Sequence, residues 1–334
     1  LERPEYRKGF KESDSHIDRA LPVFDCFAAP CIEACPAKQK VPEYLRLAAK
    51  AASGEAGAWE EALETIVTDN PLPRITGVLC DHSCQTACSR LDYEGTVRIR
   101  DVKLACSRAA SIPARKRTAA PFPGRVAVVG AGPAGLACAY YLGLWGAPVT
   151  VFEEAEGPGG VPANVIPRFR ITREDLAYDI DRIKSLGAEF RFGTKAKDLA
   201  DLRYQGFDAI FLGTGAPVPR SMDLNGEGVR RIDALAFLEE VSRAEGKASP
   251  FAGLKRVAVA GGGNTAMDAV RAALRIPGME KVSLVYRRTR AEMPADREEI
   301  EEALAEGAEL LELALPEEAS PGRLKLRRMV LGER

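Results

Sequence analysis

Two short, wholly apolar runs divide the chain, each followed at once by a glycine-rich loop and an alanine-rich stretch. The first is Val126-Ala127-Val128-Val129 and the second is Val257-Ala258-Val259-Ala260. The first, a continuous apolar run ahead of a glycine loop, fits a parallel strand buried on both faces better than an alternating surface strand. The first run leads into a helical pattern ending near Trp145 and a second apolar run, Val149 to Phe152. The second leads into a helical pattern over Ala266 to Arg275 and the run Val282 to Tyr286. Each set predicts a βαβ unit. There is no short-period repeat, and these two units are the only internal echo.

Before Arg125 the pattern changes. Leu, Ile, Val and Ala recur at helical spacing over Val41 to Ala52 and Trp59 to Thr68, and Asn70-Pro71-Leu72-Pro73 breaks the second stretch. Ser111 to Gly124, with Pro113, Pro121 and Pro123 around Arg115-Lys116-Arg117, reads as a linker whose basic run is solvated. The expected organisation is an N-terminal all-α domain with its linker over residues 1–120, then doubly wound α/β units over 121–225 and 226–334.

Composition adds mainly exclusions. A length of 334 residues suits two or three domains, each with its own core. The 47 basic and 48 acidic side chains nearly cancel, so net charge gives no reason to expect nucleic acid or an anionic membrane as partner. No apolar run approaches the roughly 20 residues that span a bilayer. The segment Leu1 to Phe10 is polar and lacks the apolar core of a signal peptide, and a first residue of Leu rather than Met suggests a fragment. Clustered cysteines without a secretory signal point to metal binding in the cytoplasm rather than to disulfides.

The glycine loops carry the first chemistry. Gly130-Ala131-Gly132-Pro133-Ala134-Gly135 is a GxGxxG sequence between strand and helix. Its glycines allow a tight turn, backbone approach to a pyrophosphate and close helix–strand packing, with the phosphates at the positive helix end. Glu153 ends the second strand, where a carboxylate can accept from ribose hydroxyls. Gly159-Gly160 follows as a second point of backbone approach, and Phe211-Leu212-Gly213-Thr214-Gly215-Ala216 is a strand ending in a glycine turn. Together these predict a Rossmann-like FAD site, the alternative being a glycine turn that merely packs. The second loop, Gly261-Gly262-Gly263-Asn264-Thr265-Ala266, reads GxGxxA. Where the first unit has Glu153, the second has Arg287 and Arg288, suited to the 2′-phosphate of NADPH or, more plainly, to a solvated strand end.

The cysteines form two groups, Cys26-x4-Cys31-x3-Cys35-Pro36 and Cys80-x3-Cys84-x3-Cys88, with Cys106 beyond. Closely spaced thiolates can wrap the corners of an iron–sulfur cluster, and Cys-x3-Cys-Pro also occurs in ferredoxin-like runs. Zinc is the main alternative, although its usual Cys-x2-Cys pairs are missing, and buried thiols are the remaining one. Cys138, on the helix after the first loop, reads as a core residue. His16 and His82 are too few and isolated for histidine catalysis, although His82 lies inside the second cysteine group.

These motifs, in this order, resemble the glutamate synthase small-subunit family, which includes the N-terminal half of dihydropyrimidine dehydrogenase. The resemblance runs through Asp25-Cys26-Phe27-Ala28-Ala29-Pro30-Cys31, Asn70-Pro71-Leu72-Pro73-Arg74-Ile75-Thr76-Gly77 and Leu79-Cys80-Asp81-His82-Ser83-Cys84. It continues in Ile166-Pro167-Arg168-Phe169-Arg170 and Tyr286-Arg287-Arg288-Thr289-Arg290-Ala291-Glu292-Met293-Pro294-Ala295, and covers nearly the whole chain from about residue 20. The N-terminal stretches most resemble flavin subunits of the selenate reductase type. The resemblance implies two [4Fe-4S] clusters in the helical domain, one on Cys26, Cys31 and Cys88, the other on Cys35, Cys80 and Cys84. Their fourth ligands are open: Val23 replaces a family cysteine, a family glutamine aligns near Lys103, and Cys106 lies one helical turn beyond it. It also implies FAD and NADPH domains, and a return of the chain to the FAD domain through a Gly-Asp motif. No Gly-Asp pair follows the second loop, so the FAD domain is expected to lack its closing strands and to bind flavin weakly.

The expected function is an NADPH-dependent oxidoreductase subunit that passes electrons through FAD to iron–sulfur clusters and an accepting partner. The residues expected to hold cofactors are Gly130, Gly132, Pro133, Ala134, Gly135, Glu153, Gly160 and Gly215 for FAD. For NADPH they are Gly261, Gly263, Asn264, Thr265, Arg287 and Arg288. No side chain is expected to act as nucleophile or general acid. The alternatives are a self-contained NAD(P)H oxidoreductase with a small acceptor and a non-enzymatic iron–sulfur redox sensor.

Overall fold

The structure is a computed structural model that describes residues 29–91, 93–115, 123–216, 222 and 224–332. Its helical part begins with α1 (Pro30–Ala34), α2 (Val41–Ala52) and α3 (Ala58–Asp69). Helix α2 turns Val41, Tyr44, Leu47, Ala48 and Ala51 inward, and α3 answers with Ala62, Leu63, Ile66 and Val67. Pro71 and Pro73 make a corner rather than a simple break, because Pro73 occupies the first turn of α4 (Pro73–Leu79), where its missing N–H costs nothing. Then come α5 (Ser83–Thr86) and α6 (Ile99–Ala109), which closes the helical core with Ile99 and Cys106.

The first α/β unit contains β1 (Val126–Val129), α7 (Pro133–Leu144), β2 (Val149–Phe152), α8 (Gly160–Asn164) and α9 (Arg173–Lys184). It continues with β3 (Glu189–Arg191), α10 (Leu199–Tyr204) and β4 (Ala209–Leu212). The sheet is parallel in the order β3-β2-β1-β4, with Val126 level with Val149 on one side and Ala209 on the other. As expected of a doubly wound sheet, β1 and β2 are buried on both faces.

The helical part does not stand apart from this unit. Leu72 and Ile75 share a core with Val128, Leu136, Tyr140, Ile180 and Ile183. Asp179 of α9 accepts from Ile75 N–H at 2.8 Å and Arg74 N–H at 3.3 Å, satisfying free amides at the start of α4.

The second unit follows α11 (Ala234–Arg243) and comprises β5 (Arg256–Ala260), α12 (Asn264–Leu274), β6 (Lys281–Val285), α13 (Arg297–Ala305) and β7 (Glu309–Leu311). Its three strands are parallel in chain order. An antiparallel hairpin, β8 (Ala314–Ser320) and β9 (Arg323–Arg328), follows and was not expected from the apolar pattern. Arg170, from the first unit, joins the two: it pairs with Asp268 of α12 at 2.9 Å and Glu299 of α13 at 2.7 Å. Beside it, Phe169 lies under the guanidinium groups of Arg271 and Arg275.

Candidate functional site

The C-terminal ends of β1, β2 and β4 open on one edge, where doubly wound sheets bind ligands. Gly130 turns the chain there with φ +100°, a left-handed conformation costly for other residues. A Cβ on it would strike the Gly213 carbonyl, and one on Gly135 would strike the Gly130 carbonyl. The loop, the first turn of α7 and the turn after β4 are therefore in backbone contact. Gly160 packs directly on this loop, its Cβ position only 2.7 Å from Gly132 Cα. Gly215 follows in the turn after β4, with open space at its Cβ position.

Glu153 bridges this loop. Its carboxylate accepts from Ala131 N–H at 2.6 Å and from Ala155 N–H at 2.9 Å. Helix α7 starts at Pro133, Ala134 and Gly135 behind an N-cap, Gly132, that offers no side chain to the free amides. Helix α12 repeats this with Gly263 ahead of Asn264 and Thr265, and an added Cβ on Gly263 would meet nothing within 4 Å. By contrast, Thr172, Asp198, Asp233 and Asp296 cap α9, α10, α11 and α13 with side-chain oxygens. The two glycine-loop helices thus leave their positive ends open to an anionic ligand. In the second loop, Gly261 N–H donates to Val285 at 3.1 Å, and Arg287 and Arg288 stand exposed just past β6.

Cys31 lies in α1, Cys35 and Cys80 end α1 and α4, Cys84 lies in α5, and Cys88 follows. Cys26 lies outside the described residues. Burial pushes the Cys84 thiol up to about 11, with Cys80, Cys35 and Cys31 adding to the rise. Burial likewise raises Cys31, helped by Cys88 and Cys35. At Cys88 burial also opposes ionisation, but hydrogen bonds from Val97, Arg90 and Thr96 outweigh it and hold that thiol below its ordinary value. Negative charge on Cys35, Cys80 or Cys88 thus opposes ionisation of Cys31 or Cys84, an opposition that a shared cation or cluster would relieve.

Among the described residues, no three cysteine sulfurs come within 4.8 Å of one another. Cys106 is fully buried with Val41, Tyr44, Ile66 and Ile99, and burial pushes its thiol up to about 11. One turn earlier on α6, the buried Lys103 instead donates to Cys80 Sγ at 3.4 Å, and Gln39 donates to Cys35 Sγ at 3.7 Å. Cys138 packs at the edge of the first unit's core.

One cavity of ≈ 160 Å³ joins the parts. It is lined by Leu79, directly before Cys80, by Val161 of α8 and Ile166 just after it, and by Arg170, Asn264 and Thr265. Arg170 and the partner of His82 described below escaped the sequence as site residues, because each acts through a residue far along the chain, and Lys103 entered only as the place of a family glutamine, not as a donor to a sulfur. The Ile166–Arg170 motif was the available signal for Arg170.

A family model described as pyridine nucleotide-disulphide oxidoreductase matches residues 124–315. A second, described as dihydropyrimidine dehydrogenase domain II, 4Fe-4S cluster, matches residues 3–111. The chain is 42% identical over 337 residues to "Putative oxidoreductase YgfK" of Escherichia coli (strain K12), covering 98% of the chain and 32% of that protein. It is 39% identical over 305 residues to the NADPH-Fe(3+) oxidoreductase subunit beta of Geobacter sulfurreducens, covering 87% and 44%. It is 32% identical over 318 residues to the glutamate synthase [NADPH] small chain of E. coli (strain K12), covering 89% and 64%. The chain therefore spans about a third of the length of YgfK and under half of the Geobacter subunit. Among solved structures, Mycobacterium tuberculosis FprA in complex with NADPH aligns with a TM-score of 0.51 at 17% identity, covering 62% of this chain and 67% of that one. That likeness concerns the fold alone. Among the described residues, no helix is long and apolar enough to cross a membrane.

Proposed function

The chain belongs to the pyridine nucleotide-disulphide oxidoreductase family, and we propose that it is the electron-entry portion of an NADPH-dependent iron–sulfur flavoprotein. FAD would sit on the first glycine loop, NADPH on the second and [4Fe-4S] clusters on the cysteines. The observation that carries this reading is a cavity that Asn264 and Thr265 of the second loop line directly, together with Leu79, next to Cys80, and Val161, next to the Gly160 that packs on the first loop. When bound, these groups would supply the conversion of two-electron transfer from a nicotinamide into one-electron transfer to iron.

The protein's own residues bind and orient. The open amides of α7 and α12 receive phosphates. Glu153, held by two backbone amides, presents its carboxylate to ribose hydroxyls. Arg287 and Arg288, free at the strand end, suit a 2′-phosphate. Cys31, Cys35, Cys80, Cys84 and Cys88, with Cys26, supply the cluster thiolates, and Lys103 and Gln39 hydrogen-bond two of the sulfurs. Arg170 fixes the two nucleotide units across the cavity. Electrons would leave to a partner subunit or domain, a reading supported by relatives that are themselves named subunits.

The test is anaerobic absorption spectroscopy with iron, sulfide and flavin assays, before and after NADPH. Iron and sulfide bleached by NADPH in flavin-containing protein is the expected result. Zinc in place of iron, or iron that NADPH leaves oxidised in flavin-replete protein, would refute the relay.

A further inference from the structure

The segment from Tyr286 to Glu298 touches both ends of the proposed relay. On one side it holds the second glycine loop. Ala295 N–H donates to the Gly262 carbonyl at 3.0 Å, and Asp296 N–H donates to Asn264 Oδ1 at 2.8 Å. The Tyr286 ring lies against Gly262, and its hydroxyl donates to the Glu292 carbonyl at 2.9 Å.

On the other side the same Asp296 meets the cysteine loop. Its Oδ2 lies 2.5 Å from His82 Nε2, while its Oδ1 accepts from Glu298 N–H at 3.1 Å. His82 stands between Cys80 and Cys84 with φ +39°, a backbone conformation that a non-glycine residue keeps only where its surroundings impose it. A second tie runs parallel. Arg100 pairs with Glu298 at 2.8 Å, donates to the Cys80 carbonyl at 3.4 Å and lies 3.7 Å from Asp296. The His82, Arg100 and Asp296 side chains are all at most 15% exposed, so the contacts among these three are little screened by solvent. His82, Asp296 and Glu298 also gather within 4.8 Å as cation ligands would. The Arg100 guanidinium already pairs with both carboxylates, so the cluster reads as a latch between the parts.

We infer that Asp296 is a positioning residue shared by the two sites, through which nucleotide at the second loop and redox state at the cysteines bias each other. The inference rests on the functional reading above. Asn264 sits at the helix start that would face phosphate, and any shift of it moves the Asp296 peptide. The Asp296 carboxylate then moves His82 and the backbone that aims the Cys80 and Cys84 sulfurs, whose hydrogen bonding sets a cluster's potential. Linkage makes the effect reciprocal.

The test uses the full 334-residue chain, with its iron content verified, and NADP⁺ as probe. NADP⁺ affinity is measured with the iron centre oxidised and after reduction by dithionite, and the centre's midpoint is followed by EPR with and without NADP⁺. The two affinities are expected to differ about fivefold, equivalent to a midpoint displacement of about 40 mV for a one-electron couple. In Asp296→Ala the difference falls below twofold, and Asp296→Asn, which keeps an acceptor oxygen, restores it. Should Asp296→Ala fail to fold, Glu298→Gln, at a half-exposed side chain, loosens the Arg100 tie and lowers the coupling by itself. Equal affinities in wild-type protein that holds both iron and NADP⁺ overturn the inference and leave the proposed function standing. Undiminished coupling in Asp296→Ala, or in Glu298→Gln where that variant must serve, overturns it equally. Absence of iron, or of NADP⁺ binding, overturns the functional reading and the inference with it.

Discussion

Removing the Arg170 guanidinium tests how the two nucleotide units are held together. Arg170 reaches Asp268 through one nitrogen, at 2.9 and 3.2 Å from its two oxygens, and Glu299 through another at 2.7 Å. All three side chains are 11% exposed or less, so the Arg170→Met variant leaves carboxylates in a poorly solvated place. Breaking a buried pair from one side costs about 3–5 kcal/mol. The lower end applies here, because Arg271 also holds Glu299, at 3.0 Å. The expected loss at pH 8 is therefore about 3 kcal/mol in urea unfolding.

The pH dependence gives a sharper check. Burial already raises both the Asp268 and Glu299 carboxyls, with Arg170 opposing the rise. Without Arg170 both rise further. A carboxyl whose folded value lies above its unfolded value contributes stability that is present at low pH and lost as pH rises through the folded value. The deficit of the variant should thus shrink steadily from pH 8 to pH 5.5, as the stranded carboxyls take up protons. A loss under about 1 kcal/mol at pH 8, or one that grows on acidification, would show that Arg170 does not join the units as described.

Replacing Arg287 and Arg288 by Ala should raise KM for NADPH roughly tenfold or more, at about 1.5–3 kcal/mol per charged hydrogen bond, with little change for NADH; equal effects in steady-state assays would remove the 2′-phosphate assignment. Gly135→Ala places a methyl group against the Gly130 carbonyl, and overpacking of about 1–3 kcal/mol should lower flavin occupancy about tenfold in absorbance titrations, whereas unchanged occupancy would refute the tight loop. Burial pushes the Asp179 carboxyl up to about 7 from 3.8, against the two N–H groups of Ile75 and Arg74. Its contribution is then complete below pH 3.8 and lost as pH rises through about 7, a change of roughly 4 kcal/mol. Asp179→Asn should flatten that part of the stability profile, and a slope equal to wild type across pH 4 to 7 would exclude Asp179 as its source.

What could be read from the sequence was whatever rests on neighbours along the chain. The helix over Val41 to Ala52 and the strands flanking both glycine loops follow from local apolar spacing, and the structure has them within a residue or so. The hairpin of β8 and β9 was missed although Arg323-Leu324-Lys325-Leu326-Arg327 alternates polar and apolar as a half-buried strand does; in its partner, Pro316 and the register shift beside it break the period. Site residues divide by the same rule. Glu153 was legible because it ends the strand that pairs with β1 and so must meet the first loop. Lys103 was legible only as the place of a family glutamine, since a lysine on an amphipathic helix is ordinarily solvated and only packing of α6 buries it against Cys80. Cys106, a ligand candidate from its place beyond the second cysteine group, is fully buried with Val41, Tyr44, Ile66 and Ile99, and Cys31 and Cys84 pack against the same cluster.

The most informative case is His82, which is isolated among histidines in the sequence but separated by 214 positions from the carboxylate it touches. Its neighbours Cys80 and Cys84 and the α12 loop were each legible as pieces of chemistry; their relation was not. Local pattern identifies groups that could carry electrons, but the contacts through Asp296, Arg170 and Arg100 decide whether those groups are held in one rigid arrangement. The redox linkage at Asp296 and the stability loss at Arg170 are therefore separate measurements of one property. If both appear, the helical part and the two nucleotide units act as a single assembly around the shared cavity. If the Arg170 variant is destabilised while the Asp296 linkage is absent, the units are joined for stability alone and the cysteine loop responds to its cluster without reference to the nucleotide.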